Sequence, residues 1–259
     1  MVDAWAALAD PFVEGAYVSV KGRVRTFVLH AQLLRHLPRP PATVLDVGGG
    51  AGHQSVPLAR LGYTVTILDS SSAMLAKAEQ RLAAELDEVR RRVRLVQGTG
   101  EQAQEATGGE RFAGVLCHGV LMYLRQPEPL MSALCRSTAN GGVVSVMALN
   151  AQTMAVRPAL ERRWTDALAA FDATGERGVL GVDTRADTVD DLSRLLTTGG
   201  VTPQAWYGVW LFSDWLDLPA NSTDLAAVAD VELQASLRDP YRQLSRVFHL
   251  IGTRSPTVR

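Results

Sequence analysis

Apolar residues along this chain of 259 residues switch between two spacings, and the switch is the first guide to its organisation. Residues 1–37 carry Trp5, Leu8, Phe12, Phe27, Leu33, Leu34 and Leu37 at helical intervals, so a helical cap is predicted there, closed by the breaker Pro38-Arg39-Pro40-Pro41. From 43 to 148, short apolar runs alternate with helical patterns. Strands are predicted at 43–47, 64–68, 93–97, 115–118 and 143–148, with helices at 52–61, 72–86 and 128–138. Strand–helix alternation implies right-handed crossovers and a parallel, doubly wound sheet in an α/β fold.

The rhythm breaks between 151 and 187. A helical piece around 159–171 is followed by Gly175, Gly178 and Gly181 without period, which predicts an inserted lid rather than a bare loop. A helix over 190–198 comes next. Thr188 and Asp191 have capping-box spacing, and Gly199 is placed to stop the helix. Strands at 206–212 and 246–253, with a helix between them, are expected to bring the sheet to seven. The chain thus reads as one domain: a cap at 1–40, a core at 41–150, the lid, and a tail at 188–259.

The chemistry concentrates at Val44-Leu45-Asp46-Val47-Gly48-Gly49-Gly50-Ala51-Gly52, where an apolar strand runs into a glycine turn and then a helix. Such a turn lies at the carboxyl edge of a parallel sheet, where nucleotides bind. A dinucleotide fingerprint needs G-x-G-x-x-G, whereas Gly48, Gly50 and Gly52 give G-x-G-x-G and His53 stands where the third glycine belongs. Asp46, two residues before the first glycine, is a poor neighbour for a pyrophosphate. A cofactor with a sulfonium and an ammonium, and no phosphate, suits that acid better. Asp69 ends the second strand, where it either accepts from both hydroxyls of a ribose or caps the helix beginning near Ser72.

Composition narrows the class. With 47% hydrophobic and 20% charged residues the chain is too apolar for disorder, and no run approaches the roughly 20 apolar residues of a membrane span. An acid near the start and no apolar run argue against a secretory signal. Cys117 and Cys135 read as buried thiols of a cytoplasmic protein. A net charge of −1, from 26 basic and 27 acidic residues, gives no global pull toward nucleic acid or membrane. Arg90-Arg91-Arg92 with Arg94 is the densest basic run and reads as a solvated helix end rather than a nucleic-acid contact. His30, His36, His53 and His249 show no zinc-ligand spacing, so no metal is expected.

Val44–Gly52, Asp69, Val115-Leu116-Cys117-His118-Gly119-Val120-Leu121 and Asn140-Gly141-Gly142-Val143 together resemble the successive motifs of class I S-adenosylmethionine-dependent methyltransferases, with their Rossmann-like three-layer fold. Tyr17–Arg25, Val146–Ala151 and Asp239-Pro240-Tyr241 extend the likeness to bacterial tRNA methyltransferases that esterify 5-carboxymethoxyuridine at the wobble position. That resemblance implies that Arg25 holds the methionyl carboxylate, with Asp46 nearby. The backbone at Gly48 and Gly49 takes the methionyl end, Asp69 the ribose, and Gly100 and Glu101 the adenine, with Asp46, Gly50 and Ser70 as further cofactor contacts. His118, which standing alone reads as a packed histidine, is implied as a cofactor contact through its backbone.

The chain departs from that family in places. A nearly neutral stretch at 175–185 stands where the tRNA enzymes have a lysine-rich run. Trp210 and Ser213 replace an arginine and a histidine, and Tyr123 replaces a tryptophan. Tyr123 and Trp210 are candidate acceptor contacts, stacking on a base or lining an apolar pocket. Methyl transfer from a sulfonium is an in-line displacement governed by alignment, and a carboxylate nucleophile needs no base, so no catalytic residue is assigned. The expected acceptor is a carboxylate or other group on a tRNA wobble uridine. The alternatives are a small-molecule acceptor and a non-catalytic module that only binds the cofactor.

Overall fold

A computed structural model of the chain describes residues 9–13, 17–178, 181–216 and 224–255. Among the described residues nine strands appear: β1 (Thr43–Val47), β2 (Thr64–Asp69), β3 (Val93–Gln97), β4 (Phe112–His118), β5 (Thr138–Leu149), β6 (Gly175–Arg177), β7 (Asp183–Arg185), β8 (Val201–Val209) and β9 (Val247–Arg254). Seven of them form one sheet in the order β3-β2-β1-β4-β5-β9-β8. The first five run parallel, while β9 pairs antiparallel with β5 and β8 antiparallel with β9. The reversal of strand order at β1 and β4 opens a crevice at their carboxyl ends.

Each face of the sheet buries its own core. Leu45, Val47, Val115 and Val146 pack against Leu130 and Leu134 of helix Glu128–Ser137 and Leu192 and Leu196 of helix Val189–Thr198. On the other face Val44, Ile67 and Leu116 meet Leu33 of helix Val20–Leu33 and Leu58 of helix Ser55–Arg60. Strands covered on both faces need continuous apolar runs, which is why β1 was legible as TVLDV.

Several expectations shift. The helix predicted at 52–61 begins only at Ser55, because the glycine turn extends through Gln54. The one predicted at 72–86 stops at Ala83 and is followed by a short helix, Asp87–Arg90. The helix expected at 159–171 is two, Val156–Leu160 and Trp164–Ala170, broken where Arg162 takes φ 60°. The segment expected as a lid also holds a β6–β7 ribbon that no periodicity announced. The strand placed at 206–212 is β8, ending at Val209 because Trp210 turns to φ 60°. Thr188 caps its helix as expected, its Oγ1 accepting from the Asp191 N–H at 3.1 Å. Of the predicted N-terminal cap, helices Ala9–Val13 and Val20–Leu33 are seen, while Trp5 and Leu8 lie outside the described residues.

Arg90, Arg92 and Arg94 bond to Asp87, the Ala59 carbonyl and Glu110, so the basic run is tied into its own fold. Among the described residues no helix is long and apolar enough to cross a membrane.

Candidate functional site

The site grows from the turn after β1. Gly48 (φ 68°) and Gly50 (φ 53°) take left-handed conformations that a side chain resists. A Cβ on Gly48 would lie 2.2 Å from Val120 Cγ2, so the turn also depends on bare backbone for room. Two bonds fasten it to the tip of β2. The Gly48 N–H donates to the Leu68 carbonyl at 2.7 Å, and the Gly50 N–H donates to Asp69 Oδ2 at 2.9 Å. Asp69 Oδ1 accepts from the Ser71 N–H at 2.9 Å. Helix Ser72–Ala83 is capped by Ser71, whose Oγ accepts from the Met74 N–H at 3.2 Å. Asp69 is therefore not the cap, and its carboxylate is fixed at the strand end.

Over the carboxyl edge of β1 to β4 lies a cavity of about 350 Å³, lined by Gly48, Gly50, Asp69, Ser70, Gly100, Glu101, His118 and Tyr123. A Cβ on Gly100 would sit 2.5 Å from Leu130 Cδ1. A second, tight cavity of about 20 Å³ is lined by Arg25, Asp46, Gly48, Gly49 and His118. Tyr17, Gly48 and His118 border both. Every residue expected to touch a cofactor thus lines one space or the other.

The small cavity is electrically unusual. Asp46 is 2% exposed and accepts from Ser55 Oγ at 2.6 Å behind the turn. Burial pushes its carboxyl up to about 6, with the Ser55 bond opposing. Arg25, on helix Val20–Leu33, lies with its guanidinium carbon 4.5 Å from the centre of the Tyr17 ring and 5.5 Å from that of Trp210. Aromatic faces favour a cation there, yet Arg25 Nε is buried without a hydrogen-bond partner. His118 is held down to about 3 by burial and by the Arg25 charge, so its ring is neutral.

Trp210 borders neither cavity. Its indole N–H donates to the Lys21 carbonyl at 3.0 Å, and the Lys21 ammonium lies 4.5 Å from its ring centre. Lys21 pairs with the buried Asp214. Burial lowers the Lys21 pKa, Asp214 opposes this, and the charges of Arg157 and Arg246 lower it further. These three cations therefore stand close together. Trp210 follows β8 and Arg246 precedes β9, which places the group over the same sheet edge as the cavities. Cys117 and Cys135 are buried free thiols, pushed upward by burial. Among the described residues no three His, Cys, Asp or Glu side chains gather to hold a metal.

Some lining residues escaped the sequence reading. Tyr17 was legible only as part of a motif, although it borders both cavities and stacks on His53 with ring centres 3.9 Å apart. Leu130 belongs to an amphipathic helix whose apolar positions all look alike in sequence.

Comparison with known proteins locates this geometry. Residues 45–144 match the family described as a methyltransferase domain. The tRNA 5-carboxymethoxyuridine methyltransferase of Escherichia coli K12 is 26% identical over 248 residues, 94% of this chain and 93% of that one. A ubiquinone biosynthesis O-methyltransferase from Caulobacter sp. strain K31 is 34% identical over 107 residues, 41% of this chain and 40% of its own. Among solved structures, magnesium protoporphyrin IX methyltransferase from Synechocystis PCC 6803 with bound SAH superposes with a TM-score of 0.65 at 15% identity, covering 98% of this chain and 97% of that chain.

Proposed function

The chain is a class I S-adenosylmethionine-dependent methyltransferase, and from that premise we propose that it methylates a carboxylate on a modified tRNA wobble uridine. The cofactor supplies a methyl group already activated by its sulfonium, so the protein's task is placement. We assign the ribose to Asp69 and Ser70, the adenine to the turn at Gly100 and Glu101, and the methionyl end to the backbone of Gly48 and Gly49. The unpartnered Arg25 Nε fits the methionyl carboxylate.

The observation that carries the acceptor reading is the cluster of Lys21, Arg157 and Arg246 over the sheet edge. Each of these cations has a carboxylate partner, Asp214, Glu161 or Glu176, for which an anionic acceptor would exchange, and a carboxylate is already nucleophilic at neutral pH. The reach of the likeness supports this: it spans 94% of the chain for the tRNA enzyme but only 41% for the ubiquinone enzyme. A small acidic metabolite is the second reading, favoured by Tyr123, an aromatic side chain that lines the larger cavity.

Radiolabelled methyl transfer to bulk tRNA, run beside a small-molecule extract, separates the two. The expected result is label in tRNA that mild alkali releases as methanol, the behaviour of a methyl ester. Label confined to the extract overturns the tRNA reading, and label in neither points to a module that binds the cofactor without turnover.

A further inference from the structure

A line of hydrogen bonds crosses the sheet beneath helix Val20–Leu33 and ends at the small cavity. Gln32 Nε2 donates to the Gly208 carbonyl at 3.0 Å, which fixes the orientation of the amide. Its Oε1 can then only accept, and it lies 2.8 Å from His249 Nδ1, so that nitrogen carries a proton. His249 is fully buried and burial drives its pKa well below the ordinary value, so the ring is neutral and Nε2 bears a lone pair. Ser145 Oγ, 2.7 Å away, donates to it. Having given its only proton, Ser145 accepts from His118 Nε2 at 2.8 Å. The neutral His118 ring therefore carries its proton on Nε2 and leaves Nδ1 as an acceptor, and Nδ1 is buried without a partner.

The small cavity is thus bordered by two buried orphans of opposite kind, a donor on Arg25 and an acceptor on His118. Each such group left unmet carries a desolvation cost. An α-amino acid zwitterion answers both at once: its carboxylate accepts from Arg25 and its ammonium donates to His118. Resting on the cofactor reading above, we infer that Gln32, His249 and Ser145 are positioning residues that lock the His118 tautomer, so that His118 Nδ1 receives the ammonium of the cofactor's methionyl end. The side chain of His118, and not only its backbone, becomes a specificity determinant for an amino-acid-bearing ligand.

Calorimetry on the full chain with S-adenosylhomocysteine and with its analogue lacking the amino group tests this. The wild type is expected to bind the analogue about tenfold or more weakly, the worth of one hydrogen bond to a charged group. His118→Phe is expected to erase that preference, and Ser145→Ala to reduce it. Equal binding of the two ligands by the wild type overturns the assignment, as does a preference that survives in His118→Phe. Absence of any S-adenosylhomocysteine binding to the wild type overturns the cofactor reading as well. Should His118→Phe fail to fold, long-range ¹H–¹⁵N correlation spectra of the wild-type imidazoles decide the tautomer. Protons on His118 Nε2 and His249 Nδ1 are expected, and a proton on His118 Nδ1 overturns the relay.

Discussion

Asp69 at the end of β2 holds the Gly50 N–H at 2.9 Å, so one carboxylate both fastens the glycine turn and faces the large cavity. Replacing it with alanine frees that N–H and removes the acceptor assigned to the ribose. Asp69→Ala is expected to weaken binding of S-adenosylhomocysteine and of adenosine alike, by about 10- to 100-fold. Calorimetry with both ligands checks it, and a loss confined to S-adenosylhomocysteine would place Asp69 at the methionyl end instead.

Gly48→Ala meets two penalties. The left-handed backbone at φ 68° strains any side chain, and the new methyl would collide with Val120 Cγ2 at 2.2 Å. Together these are expected to cost about 2–5 kcal/mol in chemical denaturation. The double variant Gly48→Ala, Val120→Ala should recover the collision part and leave the backbone part, which divides the two causes.

Arg25→Ala removes the buried cation between Tyr17 and Trp210. Affinity for S-adenosylhomocysteine is expected to fall by about 1–3 kcal/mol in calorimetry. Arg25→Lys should restore only part of it, because an ammonium lacks the planar fork that pairs with a carboxylate. Unchanged affinity in Arg25→Ala would take that residue out of the site.

Acid should destabilise the fold. His118 is depressed from 6.5 to about 3, so below pH 6.5 the unfolded chain takes up a proton that the folded chain refuses. That stability is complete above pH 6.5 and lost as pH falls, about 2 kcal/mol by pH 5. His249, depressed by burial, adds to the loss. Asp46 has the opposite sign: raised from 3.8 to about 6, it favours the folded state increasingly as pH falls through that window. Its offset is about 1 kcal/mol by pH 5. Urea titrations at pH 8, 6.5 and 5 should show a net fall, and Asp46→Asn should make it steeper.

Much of this was legible in sequence because it rests on local causes. The β1 and β3 limits follow from bounded apolar runs, and the glycine turn from the conformations its neighbours forbid. By position alone Asp69 reads equally as ribose contact or helix cap; the glycine turn upstream favours ribose, and the Ser71 bond to Met74 shows which residue caps. The β6–β7 ribbon stayed hidden because strands of three residues carry no period. The relay was beyond reach for another reason. Ser145 and His249 are single polar residues within apolar strands, and the relay bonds join positions 27, 104 and 217 residues apart.

Gln32 and Arg25 lie two turns apart along one helix and so share a side of it. With its amide committed to Gly208 at one end and His249 at the other, Gln32 resists any slide or roll of that helix against the strands. Shortening this amide, as in Gln32→Ala, would loosen the guanidinium two turns earlier without touching the cavity wall. A residue remote from every ligand would then govern how firmly the methyl donor's amino-acid tail is gripped.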